Sequence, residues 1–152
     1  MKLILSFFPI IVYLIFFIDL GYSASSGPVF GKNGMVVSTS KQASEAGIKI
    51  LKKGGNAVDA AVAVGFALAV TSSSNGNIGG GGFMVYTTSD GESFTLDFRE
   101  KAPVIAHRDL FIDDSGKVIP GMSLYSRSAS GVPGTVDGLT RALDDHGSGK
   151  IT

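Results

Sequence analysis

The longest apolar run lies at the start of the chain. From Leu3 to Ile18 no side chain is charged, and only Ser6, Pro9 and Tyr13 interrupt the hydrocarbon. Lys2 precedes the run, Asp19 ends it, and small residues follow from Gly21 to Ser26. A positive start, an apolar middle and a small-residue exit describe a secretory signal peptide over residues 1–23, with cleavage after Ser23 or Ser25. The alternative is an uncleaved membrane anchor over residues 3–20, because the run falls just short of the ~20 residues a spanning helix needs. Both readings predict an exported protein, periplasmic or extracellular. Residues 24–33 read as a flexible lead-in.

From Gly34 onward the pattern is that of a folded domain. Gly34 to Ser40 is a short β-branched run and predicts a strand. Lys41 to Lys53 sets Ala43, Gly47, Ile50 and Leu51 on one helical face, with lysines crowding the end and Gly54–Gly55 as the stop. Asn56 as N-cap and Asp59 in the first turn open a second helix. From Ala60 to Val70 it carries no polar side chain. A helix apolar all round is buried in protein or in lipid, and this one is too short to span a bilayer, so it predicts a central core helix.

Four consecutive glycines, Gly79 to Gly82, predict a loop whose backbone takes positive φ or lies closely against a neighbour. Phe83 to Thr88 and Ser93 to Arg99 predict two strands joined at an Asp90-Gly91 turn. Alternation sends Phe94, Leu96 and Phe98 one way and Thr95, Asp97 and Arg99 the other. Beyond Pro103 comes a polar stretch with a second turn at Asp113 to Lys117. Gly131 to Gly147 predicts a last helix, with Pro133 in its first turn and Val136, Leu139, Ala142 and Leu143 facing inward.

Composition removes several function classes. The 152 residues hold 13 basic and 13 acidic side chains, and loss of residues 1–23 takes one of each. A neutral chain lacks the basic stripe of a nucleic-acid binder. Apolar residues make up 44% and the mean hydropathy is +0.30. There is no cysteine, hence no disulfide framework, no thiol nucleophile and no thiolate metal site. The two histidines, His107 and His146, stand far apart and read as surface residues, without a metal motif or a Ser-His-Asp triad. The glycine run does not fit G-x-G-x-x-G, the terminal Gly147 to Thr152 lacks the glycine spacing of a phosphate loop, and no G-x-S-x-G elbow occurs. No cofactor and no metal is expected.

Arg99 is the candidate for binding chemistry. Its guanidinium offers a planar fork of donors that takes a carboxylate bidentately. On spacing alone the plainer expectation is a surface ion pair with Asp97 or Glu100.

Four segments occur in order: GGNAVDAAVAVGFALAVT, GNIGGGGFMV, LDFREKAP and SASGVPGTVDGL. Together they resemble the N-terminal part of the large subunit of γ-glutamyltranspeptidases, the glutathione hydrolases, from about Gly34 to Thr152. The resemblance implies an α/β (α+β) N-terminal-nucleophile hydrolase fold, an αββα sandwich of which only a part is present. It implies an exported proenzyme that cuts itself into two subunits. The threonine then leading the small subunit attacks the γ-glutamyl amide of glutathione, and the glutamyl group passes to water or to an amino acid. An N-terminal threonine carries its own α-amino base, so neither histidine nor cysteine is required.

By the same resemblance Arg99 binds the α-carboxylate of the glutamyl group, and the glycine run is structural. No catalytic residue is expected within the chain, because the nucleophile lies beyond Thr152. The resemblance therefore implies a truncated chain, inactive by itself, whose partners are the γ-glutamyl substrate and the missing small subunit. Two alternatives stand beside it. One is a related acylase or poly-γ-glutamate-processing enzyme of the same fold. The other is a truncated, non-catalytic exported protein.

Overall fold

The computed structural model describes residues 27–151, so the signal or anchor expected at residues 1–23 lies outside the described residues. The chain divides into two units, residues 1–31 and residues 32–152. In the first, residues 27–31 are exposed and carry no helix or strand.

The second unit holds the folded elements. Helix α1, Lys41–Lys52, starts at Ser40, whose hydroxyl accepts the Ala43 N–H at 3.4 Å. Ala43 and Gly47 form its buried stripe. Helix α2, Ala57–Thr71, opens with a reciprocal capping box. Asn56 Oδ1 accepts the Asp59 N–H at 3.0 Å, and Asp59 Oδ2 accepts the Asn56 N–H at 2.7 Å.

Strands β1, Phe83–Thr87, and β2, Ser93–Asp97, pair antiparallel with Phe83 opposite Asp97 and Thr87 opposite Ser93. Their turn uses Gly91 at φ 93°. Helix α3, Met122–Tyr125, is a single turn, followed by a 3₁₀ turn at Arg127–Ala129. Helix α4, Thr135–His146, completes the unit. Val58 and Val62 of α2 meet Leu139 and Ala142 of α4 in the buried core, flanked by Met84, Tyr86, Leu96, Phe98 and Leu143.

Several sequence expectations are corrected. The strand expected at Gly34 to Ser40 does not form: among the described residues the only sheet is β1–β2, and Val37 is 82% exposed. Strand propensity supplies side chains that suit a sheet but not the neighbouring ladder that makes one. The core helix is buried only in its first half, at Val58, Asp59, Ala60 and Val62, while Val70 is 83% exposed. Within this unit α2 packs on α1 and α4, which do not surround its far end.

Strand β2 stops at Asp97, so Phe98 and Arg99 lie past its end. Pro133 stands outside α4, because Val132 is still extended in a two-way bridge with Lys101, and Gly134 takes the cap position. Val136 faces outward rather than into the core. The turn at Asp113 to Lys117 does form, with Asp113 Oδ1 accepting the N–H groups of Ser115 and Lys117, each at 2.9 Å.

Candidate functional site

The glycine run, the strand exit and the start of α4 meet around Phe98. Its ring lies against Gly82 on one side and Gly138 of α4 on the other. A β-carbon on Gly82 would stand 2.9 Å from the ring edge, and one on Gly138 would overlap the ring. The Phe98 N–H donates to the Gly82 carbonyl at 3.0 Å, one further bond beyond the strand. Two glycines distant in sequence, Gly82 and Gly138, thus make the space into which one aromatic side chain fits.

The next residue, Arg99, inherits that placement. On one flank a β-carbon at Gly81 would sit 2.6 Å from the Phe98 carbonyl oxygen, 2.7 Å from the Glu100 nitrogen and 2.8 Å from the Arg99 α-carbon. On the other flank Gly134 abuts the Phe98 carbonyl. Two residues on, Lys101 N–H donates to Val132 O at 3.2 Å and Val132 N–H returns a bond to Lys101 O at 2.8 Å. The backbone from Phe98 to Lys101 is held at both ends and walled by backbone that has no side chain. Arg99 itself is exposed, and with Gly79, Glu100, Ser130 and Gly131 it lines an open groove.

Neither surface pair open to Arg99 on spacing forms. Among the described residues its guanidinium has no carboxylate within 4.0 Å; the ion pairs are Lys41–Glu45, Arg108–Asp109 and Arg141–Asp145. Asp97 accepts the backbone N–H of Arg99 at Oδ1, 3.0 Å, instead of the side chain.

The glycine run has a packing part, since Gly81 and Gly82 lie against the strand exit. The Gly80 carbonyl accepts from the N–H groups of Gly134 and Thr135, at 2.9 and 3.0 Å. Those two donors open α4, so the first amides of this helix start are already taken by protein. Thr135, buried, also donates its hydroxyl to the Asn77 carbonyl at 3.3 Å.

A second polar cluster ties the two ends of the core together. Asn56 Nδ2 donates to the His146 carbonyl at 2.8 Å, and the buried Asp59 carboxylate accepts the Ser148 N–H at 3.2 Å. Burial raises the Asp59 pKa, but the hydrogen bonds from Ser148 and Asn56 and the charge of Lys150 outweigh it and leave the carboxyl below its ordinary value. Spacing marked Asp59 as a helix-start residue, and its long-range bond to Ser148 had no local signal.

Of the two histidines, His107 is exposed, while His146 is not a plain surface residue. Its ring centroid lies 4.6 Å from that of Phe94 and 5.8 Å from that of Tyr86. Among the described residues no group of three or more acidic or histidine side chains is arranged to hold a metal ion.

With this geometry in hand, known proteins narrow the chemistry. The family described as Gamma-glutamyltranspeptidase matches residues 43–152. The chain is 54% identical over 121 residues to the glutathione hydrolase proenzyme of Escherichia coli (strain K12), covering 80% of this chain and 21% of that protein. It is 51% identical over 127 residues to the glutathione hydrolase proenzyme of Pseudomonas sp. (strain A14), covering 84% of this chain and 22% of that protein. Among solved structures it is similar to Helicobacter pylori gamma-glutamyltranspeptidase, with a TM-score of 0.74 and 49% identity over 80% of this chain and 35% of that one. The chain spans about a fifth of the length of the curated relatives it matches.

Proposed function

The chain belongs to the gamma-glutamyltranspeptidase family, and on that premise we propose that it is the N-terminal part of the large subunit of an exported γ-glutamyltransferase and glutathione hydrolase. Its helices and small antiparallel sheet are part of the α/β N-terminal-nucleophile hydrolase fold of those enzymes. In this reading the intact protein is a proenzyme that cuts itself. The threonine exposed by the cut takes the γ-glutamyl group from glutathione and hands it to water or to an amino acid. Export is to the periplasm or the exterior, by way of residues 1–23 or an anchor at residues 3–20.

Within this chain the working residue is Arg99, which binds the α-carboxylate of the glutamyl group. The observation that carries the assignment is its setting. The guanidinium has no ion-pair partner among the described residues, it borders an open groove, and its backbone is clasped between Gly81 and Gly134. A carboxylate brought into that groove meets five N–H donors in a fixed fork. The nucleophile and the donors that stabilise the developing oxyanion come from outside these 152 residues, so the chain contributes a clamp and no bond-breaking group.

Arg99→Ala in the intact protein tests this. A hydrogen bond to a charged group contributes about 1.5–3 kcal/mol, so KM for a γ-glutamyl anilide is expected to rise roughly 10- to 150-fold. Self-cleavage, which uses no free glutamyl carboxylate, is expected to proceed as before. An unchanged KM overturns the assignment.

A further inference from the structure

Arg99 stands where no strand holds it. The last ladder-like bond is Phe98 N–H to Gly82 O, and the next backbone tie is Lys101 with Val132. Between them the Arg99 N–H is taken by Asp97 Oδ1 at 3.0 Å. Asp97 ends β2 on its outward row, opposite Phe83. Among the described residues its carboxylate has no cation within 4.0 Å. The partner of this carboxylate is therefore a backbone amide, and the residue bearing that amide is the one given the substrate carboxylate.

We propose that Asp97 is a positioning residue for Arg99. Its side chain folds back over one residue and fixes the backbone at the strand exit, so that the guanidinium projects into the groove bordered by Gly79, Glu100, Ser130 and Gly131. It acts through hydrogen-bond acceptance, not through charge, and it does not touch the substrate. The proposal rests on the reading of Arg99 as the carboxylate clamp. Its expected effect is that of one ordinary hydrogen bond, because what Asp97 supplies to Arg99 is a single acceptor for one backbone amide.

Two substitutions separate acceptance from charge. Asp97→Asn keeps an oxygen where the acceptor stands and removes the charge; Asp97→Ala removes both. In the intact protein Asp97→Ala is expected to raise KM for a γ-glutamyl anilide roughly 2- to 10-fold with kcat nearly unchanged, the range of one ordinary hydrogen bond. Asp97→Asn is expected to stay within about 2-fold of the parent. In an Arg99→Ala background the Asp97→Ala effect on KM is expected to vanish, since a residue acting only through Arg99 has nothing left to position.

Equal impairment by Asn and Ala overturns the proposal in favour of a charge role. So does an Asp97→Ala effect that persists without the arginine side chain. Amide hydrogen exchange across residues 95–101 reads the hold itself, whatever Arg99 binds. Faster exchange at Arg99 in Asp97→Ala but not in Asp97→Asn supports the proposal, and unchanged exchange in both overturns it. If Arg99→Ala alone leaves KM unchanged, the clamp reading falls on that result, while exchange still decides whether Asp97 holds the exit.

Discussion

Gly134 stands so close to Phe98 that a β-carbon on it would overlap the Phe98 carbonyl oxygen. The backbone at Gly134 is at φ −117°, a value open to any residue, so the requirement for glycine there is one of space alone. Gly134→Ala must push the strand exit away from α4, and with it Arg99. Forcing a methyl into packed structure costs typically ~1–3 kcal/mol. The expected result is a loss of that size in denaturant unfolding of the intact protein, together with a higher KM for a γ-glutamyl substrate. A variant of normal stability and normal KM would mean that α4 and the strand exit move apart freely.

Gly138 poses a contest between two effects of opposite sign. It lies inside α4, where Gly→Ala ordinarily gains about 0.5–1 kcal/mol of helix stability. The added methyl, however, would meet the Phe98 ring, which is closed in from the other side by Gly82. Overpacking at ~1–3 kcal/mol outweighs the propensity gain. Gly138→Ala is expected to lower Tm, and pairing it with Phe98→Leu is expected to recover part of the loss. A rise in Tm for the single variant would sink this account of the packing.

How much of this was legible beforehand follows from range. The hairpin was, because alternation around Asp90-Gly91 is a local signal, and so were Asn56 as the N-cap, Asp59 in the first turn and the inward face of α4 at Leu139 and Ala142. The glycine run was legible as a close-approach loop, but the partner it approaches was not. That partner, Phe98, is named by no spacing, and Gly82, Gly134 and Gly138 come together on it only in three dimensions. The Asp59–Ser148 and Asn56–His146 bonds span 89 and 90 residues and had no local trace. The strand expected at Gly34 to Ser40 failed for the converse reason, since its local signal was sound and the described residues offer it no ladder partner.

The Asn56 amide joins the start of α2 to the end of α4, accepting from Asp59 and donating to His146 O. Replacing an N-cap by alanine costs about 0.5–2 kcal/mol. Asn56→Ala also loses the long-range bond and is expected at the upper end of that range. Asn56→Ser restores the cap acceptor without reaching His146, so it is expected to recover only the cap's share. Equal stability of the Ser variant and the parent in urea unfolding would show that the tie to α4 contributes nothing.

Asp59 gives the fold a dependence on acid. Its carboxyl titrates below the ordinary value of 3.8 in the folded chain, so the folded state favours the ionised form. That contribution is fully present above about pH 4 and is lost as pH falls through the lower folded pKa. Asp59→Asn is expected to be less stable than the parent at pH 7 and to lose less on going from pH 5 to pH 2. Parallel stability curves for the two proteins across that interval would exclude Asp59 as a source of the acid limb.

Arg99→Lys separates the charge of the proposed clamp from its shape. Lysine keeps the cation but offers a point charge instead of a planar fork. KM for a γ-glutamyl substrate is expected to fall between the parent and Arg99→Ala. Full restoration by lysine would mean that the groove reads charge only, and a complete failure would mean that bidentate geometry is everything.

The outward row of the hairpin tests the layered architecture of the intact protein. Phe83 and Val85 are 66% and 77% exposed in this chain, beside Thr95 and Asp97 of β2. An αββα sandwich covers both faces of its sheets, so this row is expected to be buried once the remaining layers are present. A lysine there would carry an unpaired charge into the interior, at a cost of several kcal/mol. Val85→Lys in the intact protein is therefore expected to abolish most soluble, folded product. Ser89→Lys, at the exposed hairpin turn, is expected to change little. If the two variants behave alike in yield and Tm, the outward row faces water, and the hairpin lies at the rim of the sandwich rather than between its layers.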